Sequence, residues 1–98
     1  MKAYWIAHVN VTDPDQYTQY TQRAPAAFAL YGGRFLARGG RSEALEGRPA
    51  AQRNVVIEFD SYEQAVACYH SEQYQEAKGH RAGVALADII IVEGVAPA

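Results

Sequence analysis

The chain has 98 residues, 49% of them hydrophobic and 20% charged, which fits one globular domain and excludes both a disordered segment and a membrane-spanning one. Its formal charge is −2 and its nine basic residues are scattered, so nothing in the sequence suggests nucleic acid or an anionic membrane as a partner. A single cysteine, Cys68, rules out an intramolecular disulfide and a thiolate pair for zinc. Met1-Lys2 leads straight into a strand rather than a leader, so the expected location is cytoplasmic.

Lys2 to Val11 reads as the first strand, with Ala3, Trp5, Ala7 and Val9 on one face and Tyr4, Ile6, His8 and Asn10 on the other. Thr12-Asp13-Pro14-Asp15-Gln16 then starts a helix. Asp13 is placed to cap it, Pro14 sits at the first helical position, and Gln16 completes a capping-box-like pattern. Tyr17, Tyr20, Ala24, Ala27, Phe28 and Tyr31 follow at helical spacing. Pro25 predicts a kink or split around Gln22 to Ala24, and Gly32-Gly33 ends the helix.

Arg34 to Arg38 reads as a second strand. After Gly39-Gly40 come a short returning segment, Ser42 to Glu46, and a surface loop, Gly47 to Gln52. Arg53 to Phe59 is a third strand, with Val55, Ile57 and Phe59 on one face. Ser61 and Gln64 fit a capping box before a helix whose buried stripe is Tyr62, Ala65, Val66 and Tyr69. Ser71 starts a separate helical turn carrying Tyr74, Ala77 and Arg81. The last strand runs from about Ala87 to Val95, and its Asp88-Ile89-Ile90-Ile91-Val92 is apolar on both faces.

This order predicts an α+β fold, the ferredoxin-like βαββαβ plait: a four-stranded antiparallel sheet with its helices on one face. The other face is apolar and uncovered. Each large side chain left in water there forfeits roughly 1.5–3 kcal/mol of available burial. A homodimer packed sheet against sheet, a dimeric α+β barrel, is the expected solution, with an interface of at least ~1,200 Å².

The chain resembles a bacterial family of unknown function, domain of unknown function 1330, within the dimeric α+β barrel superfamily. The likeness extends from Ala3 to Gly94. It rests on Thr12-Asp13-Pro14 with Tyr17 and Tyr20, on Tyr31-Gly32-Gly33-Arg34-Phe35-Leu36-Ala37-Arg38-Gly39-Gly40, on Leu45-Glu46-Gly47 and on Ile57-Glu58-Phe59-Asp60-Ser61. It continues through Ala67-Cys68-Tyr69-His70-Ser71-Glu72-Gln73-Tyr74, Arg81 and Ile91-Val92-Glu93-Gly94. The resemblance implies the plait and the dimer but no reaction. Superfamily relatives include cofactor-independent monooxygenases, lactone isomerases, peroxidases, haem-degrading enzymes and ligand-binding regulatory domains, and analogy at that distance supplies a fold and a pocket location only.

Polar residues on otherwise apolar strands are the candidates for chemistry. His8 is the general acid or base by type, since its unperturbed pKa of about 6.5 lies near working pH, or else a hydrogen-bonded histidine at a strand end. Arg38 and Arg81 suit a carboxylate or enolate through their fork of donors, or else pair with Glu46 or Glu58. Tyr20 and Trp5 are the chosen walls of an aromatic-lined pocket, the alternative being core packing. His8, His70 and His80 lack metal-ligand spacing, and no nucleotide-binding or nucleophile motif is present, so neither metal nor cofactor is expected. Two functions stay open. One is a non-catalytic dimeric module that binds a metabolite, a small acidic or enolisable ligand, or another protein. The other is a cofactor-independent monooxygenase or isomerase acting on a small conjugated carbonyl compound, with His8 moving the proton and Arg38 stabilising the oxyanion.

Overall fold

In the computed structural model, which describes residues 1–97, the chain runs β1 (Ala3–Val11), α1 (Pro14–Leu30), β2 (Arg34–Arg38), β3 (Arg53–Phe59), α2 (Tyr62–His70), α3 (Glu72–Gly79) and β4 (Ala85–Glu93). The strands form one sheet in the order β2-β3-β1-β4, and every neighbouring pair is antiparallel. This is the ferredoxin-like plait. Both crossovers, through α1 and through α2 with α3, return over the same face.

The helix starts follow from local side-chain chemistry. Asp13 accepts from the Gln16 amide at 3.2 Å, and Ser61 Oγ accepts from the Gln64 amide at 3.1 Å. The Gln64 side chain does not reach back to complete a capping box. It donates instead to the Tyr31 carbonyl and so ties α2 to the end of α1. Buried Ser71 serves two helices: its Oγ donates to the Cys68 carbonyl at 2.7 Å and accepts from the Tyr74 amide at 3.1 Å.

Pro25 does not split α1, which is one helix of 17 residues with the proline inside it. The ring removes a single amide donor, the one that would reach the Thr21 carbonyl. Burial of Ala24, Ala27 and Phe28 holds the helix across that gap. The start of the last strand also differs from expectation. β4 starts at Ala85 because it pairs with β1 as far as Val11, while the amides of Thr12 and Asp13 both donate to the Val84 carbonyl. The returning segment Ser42 to Glu46 is irregular. The connection after β2 is pinned where the Gln52 amide donates to Asn10 Oδ1 and the Val11 amide to Gln52 Oε1, both at 2.9 Å.

The core lies between sheet and helices. Trp5 is its hub, with ring centroids of Tyr74 at 4.8 Å, Phe28 at 5.0 Å, Tyr69 at 5.7 Å and Phe59 at 6.2 Å. Gly33 permits β2 to close on this core, since a Cβ there would stand 2.9 Å from the Phe59 ring. On the opposite sheet face Tyr4, Ile6 and Val56 are half-buried, and Leu86, Ile90 and Val92 are 72%, 57% and 45% exposed.

Candidate functional site

A cavity of about 40 Å³ opens between α1 and the sheet. Its floor is the helix-facing row of the strands: Trp5, Ala7 and Val9 from β1, Val55 and Ile57 from β3, and Ala87 and Ile89 from β4. Its roof is α1, through Tyr17, Tyr20, Thr21, Ala24, Pro25 and Phe28. Three arginines complete a lining that is otherwise apolar apart from the hydroxyls of Tyr17, Tyr20 and Thr21: Arg38 from the end of β2, Arg53 from the start of β3 and Arg81 from the turn after α3. Few polar groups among many apolar ones is the usual composition of a small-molecule site.

None of these arginines is neutralised by a carboxylate among the described residues. Glu58 and Asp60 are held by Arg34 at 2.8 and 3.2 Å, Asp60 also by Lys2 at 2.7 Å, and Glu76 by Arg23 at 3.6 Å and His80 at 3.0 Å. The expected pairing of Arg38 or Arg81 with Glu46 or Glu58 is therefore absent among those residues. Arg38 stacks over the Phe35 ring, 4.1 Å from its centroid. Arg81 places its Cζ 5.5 Å from the Tyr20 centroid and donates from Nη2 to Tyr74 Oη at 3.3 Å, while its Nε is buried without a partner. Burial lowers the Arg81 pKa, but the hydrogen bond to Tyr74 and the neighbouring phenol of Tyr20 outweigh it, so the net shift is upward and the cation is retained. Burial also raises the phenols of Tyr17 and Tyr20, which stay protonated. The cavity thus offers cations and hydrogen-bond donors.

Four residues singled out from the sequence, Trp5, Tyr20, Arg38 and Arg81, line this one cavity. His8 does not join them. Side chains alternate along β1, so His8 shares a face with Tyr4 and Ile6, on the side of the sheet away from the helices. There its Nδ1 lies 2.7 Å from Asn54 Oδ1, and Asn54 Nδ2 donates to Ser42 Oγ at 3.1 Å, so the histidine braces the loop after β2. Arg53 escaped the sequence reading, although it shares the parity of Val55, Ile57 and Phe59. Cys68 sits outside the lining, its thiol pushed up to about 12 by burial. Among the described residues no three His, Cys, Asp or Glu side chains gather as metal ligands, and no helix is long and apolar enough to cross a membrane.

Residues 2–95 match the family described as a domain of unknown function, DUF1330. The chain belongs to that family. No curated protein matches it. Among solved structures, this DUF1330 chain is similar to a protein of unknown function from Rhodopseudomonas palustris, with 17% identity, a TM-score of 0.78, and coverage of 98% of this chain and 84% of that one. It is also similar to SnoaB, a cofactor-independent oxygenase from Streptomyces nogalater, with 12% identity, a TM-score of 0.65, and coverage of 98% and 95%. A dimeric protein of unknown function with a ferredoxin-like fold from Bacteroides fragilis gives 10% identity and a TM-score of 0.63 over 95% and 96% of the two chains. At such identities the likeness establishes the fold.

Proposed function

We propose that this protein is a homodimeric α+β barrel that binds a small organic anion, a carboxylate or an enolate, in the cavity between α1 and the sheet. The observation that carries the reading is the set of three arginines without carboxylate partners in an apolar cavity, one of them with a buried and unsatisfied Nε. A buried donor without an acceptor costs free energy, and an anionic oxygen supplies that acceptor. In this reading Arg81 and Arg38 hold the charge, Arg53 adds to the positive field, and Trp5 and Tyr20 shape the apolar walls. A water needs about 10–15 Å³ of such space, so the free cavity suits an acetate-sized group, and a larger body extends past the rim or displaces Tyr20. The dimer is supported by the apolar open sheet face and by the dimeric Bacteroides fragilis neighbour. A cytoplasmic location completes the reading, in keeping with a single buried cysteine.

The fold shared with SnoaB keeps a cofactor-independent oxygenase or isomerase as the second reading. With His8 on the far face, such a substrate would have to enter already ionised, because arginines and raised phenols do not take protons at neutral pH.

Titration of the labelled protein with acetate, benzoate and acetylacetone, followed by amide chemical shifts, tests the proposal. Saturable binding is expected, with shifts confined to residues around the cavity and affinity at least about tenfold weaker in Arg81→Gln. Equal affinity in that variant, or no saturation by any of the three at millimolar concentration, overturns it.

A further inference from the structure

The direction of one hydrogen bond deepens this reading, and rests on it. Tyr20 Oη and Tyr74 Oη are 2.9 Å apart, and Arg81 Nη2 is 3.3 Å from Tyr74 Oη. A guanidinium has no acceptor, so Tyr74 must accept from Arg81. Tyr74 is fully buried, does not line the cavity, and its hydroxyl meets no third polar group among the described residues. Its own proton therefore has a single available acceptor, Tyr20 Oη. The reverse polarity, Tyr20 donating to Tyr74, would strand a hydroxyl proton in the core, which native interiors avoid.

Once Tyr20 Oη accepts from Tyr74, the Tyr20 proton has no acceptor within the protein, and Tyr20 lines the cavity. We propose that the relay from Arg81 through Tyr74 makes Tyr20 an oriented donor in the pocket, so that Tyr20 and Arg81 together select a carboxylate or enolate oxygen and reject cationic heads. Tyr20 is then a binding residue rather than a wall. Arg81 contributes in two ways, as the charge beside the ligand and as the start of the relay. Burial keeps the Tyr20 phenol protonated well beyond its ordinary range, so at neutral pH the hydroxyl that accepts from Tyr74 keeps its own proton to donate.

Competition among three probes of similar size tests the charge selection, and loss of the Tyr20 hydroxyl tests the donor. Acetate should bind the wild-type protein most tightly, acetamide at least about tenfold more weakly, and methylammonium without saturation. Tyr20→Phe, which keeps the ring, should weaken acetate about tenfold, and acetamide, whose neutral carbonyl also accepts, by a smaller factor. Methylammonium or acetamide binding as tightly as acetate would overturn the inference. So would a folded Tyr20→Phe protein that holds acetate as well as the wild type while Arg81→Gln does not, and that result would leave the anion pocket standing. Failure of acetate to bind the wild-type protein would remove the pocket and the relay together.

Discussion

Burial sets the acid–base behaviour of individual residues around the cavity, and its consequence for stability has a definite sign. Desolvation is the largest cause of the raised pKa at both Tyr17 and Tyr20. A folded-state value above the unfolded one contributes stability that is complete below about pH 10, the unfolded tyrosine value, and is lost as pH rises through the folded value. Alkaline titration followed by phenolate absorbance should therefore show Tyr17 and Tyr20 ionising late, together with unfolding, and Tyr20→Phe should remove one late step. Ordinary titration of both Tyr17 and Tyr20 in a folded protein would contradict the burial described. Asp60 behaves oppositely. Hydrogen bonds from Lys2 and Arg34 lower its pKa, so its contribution is present above the unfolded carboxylate value near 4 and is lost as pH falls, and at this exposed site salt screens it. Much of the cavity was legible at this scale, because Arg38 and Arg81 stand out as charges in apolar surroundings. His8 stands out by residue type, and the strand's own alternation places it on the face away from the helices, outside this cavity. Arg53 was overlooked because a charge at the first position of a strand looks like a boundary residue.

At the scale of elements, a buried serine joins the helices to the site. Ser71 Oγ closes α2 through Cys68 and opens α3 through the amide of Tyr74, the residue that links Arg81 to Tyr20. Ser71→Ala should cost about 1–2 kcal/mol, as a lost cap with a buried polar group left behind. Urea denaturation measures this directly, and a loss below about 0.3 kcal/mol would show that α3 does not need the cap. All three caps, Asp13, Ser61 and Ser71, could be read from the sequence, since capping is local chemistry between residues three apart. The effect of Pro25 could not. A proline's local penalty argues for a break, but the face carrying Ala24, Ala27 and Phe28 is held by strands far away in sequence. Long-range packing also decides the segment after β2, whose anchors on Asn10 and Asn54 leave no pattern in the segment itself.

For the whole molecule, the sheet is a single layer with a different task on each side. The helix-facing row builds the cavity, and the opposite row, with Leu86, Ile90 and Val92 exposed, is the surface proposed to meet a second subunit. Ile90→Lys should yield a monomer by light scattering at micromolar concentration, since it puts a charge where each buried aliphatic side chain contributes roughly 1.5–3 kcal/mol. The monomer should still bind acetate, because Arg38, Arg81 and Tyr20, which hold it in this reading, lie on the sheet face away from the proposed contact. A wild-type protein that is already monomeric at that concentration would remove the dimer from the proposal. The alternation behind this division also limits how the gene can change in length. Inserting or deleting one codon within β1 would exchange Trp5 with Ile6 and Ala7 with His8, destroying cavity and contact surface at once. Codons gained or lost should therefore collect in the irregular stretch 39–52, where no such parity exists.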